Sequence, residues 1–157
     1  MTASVADLVA RYDGRAPRYT SYPTAPHFSG AVGPNTYTEW LGALPEGLDL
    51  SLYLHVPFCD RLCFYCGCNT SVVRLESSHR AYARRLIEEI ERVGAAIGRK
   101  APARHVHWGG GTPTTLPADQ LVAIMDKLRE HFTLEAGSEV AIELDPTSIE
   151  PDRLAAL

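Results

Sequence analysis

All four cysteines of the chain fall within ten residues, Cys59-Asp60-Arg61-Leu62-Cys63-Phe64-Tyr65-Cys66-Gly67-Cys68. Cys59, Cys63 and Cys66 have the spacing C-x3-C-x2-C, so one short loop can turn three sulfurs toward a single centre. Thiolates are soft ligands, and four-iron clusters are held by cysteine sulfurs on short loops. A cluster with three protein ligands leaves one iron open to bind something else. Zinc is the rival metal. It usually draws its ligands from two separated pairs, often with histidine, and four sulfurs this close match that poorly. A disulfide pair is disfavoured in a reducing compartment. Cys68 lies one residue beyond Cys66, which strains joint ligation and argues against it as a ligand.

The surrounding sequence must position that loop. Residues 51–56 are short, apolar and β-rich, and Pro57 stops them just before the cysteines. Ser77 or Ser78 is a candidate cap for a helix running to about Ile97. Tyr82, Leu86, Ile90, Val93 and Ile97 lie on one face of that helix, and Gly98 ends it. A second strand is predicted over 105–108, followed by Gly109, Gly110 and Gly111. Pro117 opens a helix whose apolar face is Leu121, Ile124, Met125 and Leu128. A third strand is predicted over 140–144, broken by Asp145-Pro146, and Pro151 starts a further helix. Strand, helix, strand, helix, strand implies an α/β fold with parallel strands and helical crossovers. Three parallel strands leave open edges, so residues 51–157 read as the first part of a (β/α) barrel. Ahead of it, residues 1–50 read as an arm with short helices: an amphipathic helix over 4–12, a proline-rich extended stretch over 14–33, and a helix over 35–43 capped by Asn35.

In parallel α/β structures, sites lie at the carboxyl ends of strands. The cysteines, the glycines and Glu143 all fall there. Three glycines let backbone approach a ligand closely, or they form a tight turn. No lysine follows them as in a phosphate loop, and the third glycine of a dinucleotide fingerprint is missing. Glu143 is either a water-facing strand-end carboxylate or a ligand contact. Tyr53 is either a core tyrosine or part of a site. His55, His105 and His107 are expected to be held by packing and hydrogen bonds.

The cysteine spacing resembles the signature of radical S-adenosylmethionine enzymes. The run Ser51-Leu52-Tyr53-Leu54-His55-Val56-Pro57-Phe58 before it, with Cys66-Gly67-Cys68-Asn69 after it, is similar to the oxygen-independent coproporphyrinogen oxidase family. So are Pro17-Arg18-Tyr19-Thr20-Ser21-Tyr22-Pro23-Thr24-Ala25, Trp108-Gly109-Gly110-Gly111-Thr112-Pro113 and Ile142-Glu143-Leu144-Asp145-Pro146. The resemblance implies a partial (β/α)6 barrel, of which this chain would be the N-terminal part, followed by a helical domain. It implies a [4Fe-4S] cluster on Cys59, Cys63 and Cys66. It places Tyr53, Tyr65, Gly110 and Glu143 around S-adenosylmethionine, and Gly111 and Thr112 beside a second one. Cys68 is then a non-ligand needed for activity. The implied reaction uses a 5′-deoxyadenosyl radical to decarboxylate two propionates of coproporphyrinogen III to vinyl groups, giving protoporphyrinogen IX. The implied partners are that porphyrinogen and an electron donor. Two alternatives stand beside it. A haem chaperone shares the cluster motif, but the Gly67-Cys68-Asn69 ending and the Arg18-Tyr19-Thr20 arm argue against that branch. An electron-transfer or metal-binding module would want a fourth ligand and no glycine loop.

Composition narrows the remainder. A formal net charge of −4 leaves no basic footprint for nucleic acid. No apolar run approaches the roughly 20 residues of a membrane span. Residues 1–10 lack a basic start and a signal-peptide core. A cytoplasmic monomer is the expectation.

Overall fold

The computed structural model describes residues 4–14 and 23–157. The chain divides into two compact units, Met1–Gly33 and Pro34–Leu157. In the first, helix α1 (Val5–Tyr12) starts with a capping box: Asp7 N–H donates to Ser4 Oγ, and Ser4 N–H donates back to the Asp7 carboxylate. This is the helix expected over 4–12. A short 3-10 turn follows at Ala25–His27. Most of the Pro17-to-Ala25 motif lies outside the described residues.

The second unit opens with α2 (Pro34–Gly42). Pro34 is its first residue, so Asn35 sits inside the helix and does not cap it. A proline is well suited there, because its fixed φ matches the first turn. Arg99 then donates to the carbonyls of Leu44 and Pro45 and ties down the segment after α2.

The main sheet is parallel throughout. Its centre is β4 (Ala101–Gly110), longer at both ends than the predicted strand. β1 (Leu50–Val56) pairs with β4 on one side, and β6 (Glu139–Ile142) also pairs with β4. β6 ends two residues before the predicted 144, although Glu143 N–H still donates to the Trp108 carbonyl. β5 (Phe132–Thr133) pairs with the first two residues of β4. A second, small ladder joins β2 (Phe58–Cys59) to β3 (Ser71–Val72).

Register and alternation sort the side chains into two faces. Leu54 aligns with Trp108 and Trp108 with Ile142, one row toward the helices. Leu54, Val56, Val106 and Trp108 are buried there with Ala83, Ile90, Leu121, Ile124 and Leu128 of helices α3 (Glu76–Ile97) and α4 (Ala118–His131). The neighbouring row, Tyr53 with His107, faces the other way. That face is polar, which resolves the orientation of Tyr53: it points away from the helices. Parallel sheets are usually buried on both faces, and a polar second face suits the inside of a barrel.

The start of α3 differs from expectation. Leu75 occupies the cap position without a side-chain bond, so neither Ser77 nor Ser78 is the cap. The first turn is held instead by His79, whose Nε2 bonds the Val73 carbonyl at 2.8 Å, and by the Glu76–Arg80 pair at 2.7 Å. Gly98 closes α3 in the left-handed conformation at φ 73°, as anticipated. α4 begins after Pro117, and α5 (Pro151–Ala155) begins with the expected proline.

Candidate functional site

Pro57 stops β1, and the chain then re-enters a two-residue strand that ends on Cys59. This seats Cys59: it is buried, and the β2–β3 ladder fixes its backbone. Cys63, Cys66 and Cys68 lie beyond, on an exposed loop. Two arginines stake that loop. Arg74 donates twice to the Asp60 carbonyl, at 3.0 and 3.1 Å. Arg61 reaches across to Asp145 at 3.5 Å and also donates to Thr147. Asp145 in turn accepts from Thr147 N–H at 2.9 Å and Thr147 Oγ1 at 2.7 Å. These bonds, followed by the charge of Arg61, hold the Asp145 carboxyl below its ordinary value.

A cavity of about 280 Å3 opens between this loop and the end of β4. Its walls include Cys59, Cys63, Cys66, Tyr65, Gly110 and Thr112. The three thiols border one space without converging. Among the described residues, no three His, Cys, Asp or Glu side chains already stand in a metal-holding arrangement. Gly110 adopts φ 113°, and a Cβ there would lie 2.6 Å from the His55 ring. At Gly111 a Cβ would meet the Phe58 carbonyl at 2.4 Å and Cys59 Sγ at 2.9 Å. Both positions therefore require glycine.

The remaining predicted residues lie beside this cavity on the polar sheet face. One Glu143 oxygen accepts from Gly110 N–H at 3.2 Å, and the other lies 3.3 Å from His107 Nε2. The Tyr53 ring stacks on His107 with centroids 5.9 Å apart, and its hydroxyl lies 3.1 Å from His55 Nδ1. Desolvation by these neighbours, then the charges of Glu143 and Cys68, push the Tyr53 phenol above its ordinary value. A hydrogen bond with Cys66, then its charge, pushes the Cys68 thiol up as well. His55 Nε2 bonds the Asn69 carbonyl at 3.0 Å and so joins β1 to the end of the cysteine loop. His55 and His107 do make hydrogen bonds, but they make them at the site.

Thr70, Arg61, Arg74 and Asp145 were not singled out from the sequence as site residues. The run Thr70-Ser71-Val72-Val73 is β-rich and was the available signal for β3. The arginines carry none, because their partners are a backbone carbonyl, a hydroxyl and a distant carboxylate.

The family model of the radical SAM superfamily matches residues 53–157. This chain belongs to the radical SAM superfamily. Among curated relatives, the oxygen-independent coproporphyrinogen III oxidase of Bradyrhizobium diazoefficiens is 46% identical over 153 residues, covering 97% of this chain and 34% of the relative. The enzyme of the same name from Escherichia coli is 43% identical over 148 residues, 94% of this chain and 32% of the relative. The chain thus spans about a third of the length of these relatives. A solved structure of coproporphyrinogen III oxidase (HemN) from Escherichia coli, described as a radical SAM enzyme, superposes with a TM-score of 0.79 at 39% identity. It covers 95% of this chain and 32% of that one. The parallel α/β arrangement is therefore that of a radical SAM fold, as expected.

The donor set fits the cluster that radical SAM proteins carry. Three soft sulfurs border one cavity, and Gly110 and Gly111 leave room where any side chain would intrude. No helix among the described residues is long and apolar enough to cross a membrane.

Proposed function

We propose that this chain carries the cluster and cofactor site of an oxygen-independent coproporphyrinogen III oxidase. The chain would comprise an arm with short helices, residues 1–50, and the first half of the barrel, 51–157. Cys59, Cys63 and Cys66 would hold a [4Fe-4S] cluster. Gly110, Tyr53, Tyr65 and Glu143 would bind S-adenosylmethionine, with Gly111 and Thr112 beside a second molecule. When bound, cluster and cofactor supply one-electron radical chemistry. The chain's own residues do the rest. Glu143 offers a carboxylate to a cationic amino group. The glycines would bring backbone close, and the cysteine loop would wall one side of the cavity.

On this reading the substrate is coproporphyrinogen III. Each of two propionates would lose carbon dioxide, one proton and two electrons to become a vinyl group, with one S-adenosylmethionine per propionate as the two-electron oxidant, giving protoporphyrinogen IX. An electron donor completes the set of partners, and the protein works as a cytoplasmic monomer. One observation carries the proposal: the cavity where three cysteines of C-x3-C-x2-C spacing meet the glycine turn after β4, in a chain 46% identical to an enzyme of that name.

The test is anaerobic reconstitution with iron and sulfide, then electron paramagnetic resonance of the reduced protein with and without S-adenosylmethionine. A four-iron signal that changes on adding the cofactor is expected. A signal indifferent to it would favour an electron carrier. Soluble protein with no cluster would overturn the reading and return zinc as the metal.

A further inference from the structure

We infer that Thr112 and Thr70 are the hydroxyl partners of the Cys59 sulfur and set the reduction potential of the cluster held there. The inference rests on Cys59, Cys63 and Cys66 being cluster ligands and adds two residues to that reading. Thr112 is buried, and its hydroxyl donates to Cys59 Sγ at 3.6 Å, its one side-chain hydrogen bond among the described residues. Thr70 Oγ1 lies 3.2 Å from the same sulfur and donates to the Pro57 carbonyl at 3.0 Å. Both threonines are held by backbone. Thr112 N–H donates to the Phe58 carbonyl at 2.7 Å, and Ser71 N–H, next to Thr70, donates to the Pro57 carbonyl at 2.7 Å.

The two hydroxyls are not equivalent. Thr70 has one proton and two acceptors. While Cys59 is a thiol, its S–H can donate to Thr70 Oγ1, whose own hydroxyl donates a hydrogen bond to the Pro57 carbonyl. Once the sulfur has given up its proton to bind iron, Thr70 can help it only by turning away from Pro57. Thr112 donates to the sulfur in either state. Cys63 and Cys66 are exposed and can take hydrogen bonds from water. Cys59 is buried, so these hydroxyls replace water for it. A donor on a ligand sulfur stabilises the more negative, reduced cluster and raises its potential.

The test compares wild type with Thr112→Val, which keeps the shape and loses the donor, Thr112→Ser, which keeps the donor, and Thr70→Val. Each chain is loaded anaerobically, iron and labile sulfide are counted, and the midpoint is read by paramagnetic resonance during titration with dithionite. Thr112→Val is expected to hold a full cluster at a lower midpoint, Thr112→Ser to match wild type, and Thr70→Val to shift less. If Thr112→Val does not fold by circular dichroism, Thr112→Ala takes its place against Thr112→Ser. A full cluster with an unmoved midpoint in the donorless variant overturns the inference alone. So does a Thr112→Ser shift as large as that of the donorless variant, which would mark packing as the cause. A wild-type chain that takes up no iron and sulfide removes the cluster reading, and the inference with it.

Discussion

Gly111 is the tightest point beside the cysteines. The Phe58 carbonyl that a Cβ would strike is backbone, and it already accepts from Thr112 N–H. It cannot retreat without breaking that bond. Gly111→Ala should therefore destabilise by about 1–3 kcal/mol, the usual range for overpacking. A urea denaturation midpoint measures this, and the same variant should take up less iron. The cysteine spacing was legible in the sequence because its chemistry is local: three sulfurs on one loop need no other element. The glycines were legible as a close approach, but not what they approach. Thr70 meets Cys59 only because two strands of two residues each pair across the loop, and strands that short have no period to read.

At the scale of elements, the cysteine loop is held at both shoulders, by Arg74 to its own Asp60 and by Arg61 to the segment after β6. Asp145→Asn keeps the shape and removes the charge. It should loosen residues 60–68, read as faster hydrogen exchange or proteolysis there while α3 and α4 are unchanged. The pH dependence has a definite sign. Asp145 is held below its ordinary value of 3.8, so its contribution is present above that value. It is lost only as pH falls through the lowered value. Loop protection should stay flat through neutral pH and fail in acid below 3.8, and the Asn variant should lack that acid step. The long helices and the three main strands followed from apolar spacing, because burial against one sheet imposes that spacing. Their ends did not. Ser77 and Ser78 looked like caps, but a histidine reaching back to Val73 and an ion pair inside the first turn start the helix sooner.

Across the whole molecule, the core lies on one side of the sheet. Ile124 is fully buried between α4 and the strands, so Ile124→Ala should lower unfolding free energy by about 2–5 kcal/mol. Tyr53 is 59% exposed on the opposite side, and surface changes usually stay within about 0.5 kcal/mol. Tyr53→Phe and Glu143→Gln should leave the thermal midpoint nearly where it is while weakening S-adenosylmethionine binding, as calorimetry would show. The alternation of β1, β4 and β6 thus separates two kinds of selection. Mutations on the helix side are screened by whether the chain folds at all. Exposed positions on the polar side weigh far less on stability and bear directly on the proposed cofactor site. A substitution along Tyr53, His107 or Glu143 can therefore alter binding without a stabilising background, and loss of activity there should be read first as lost binding rather than as lost fold.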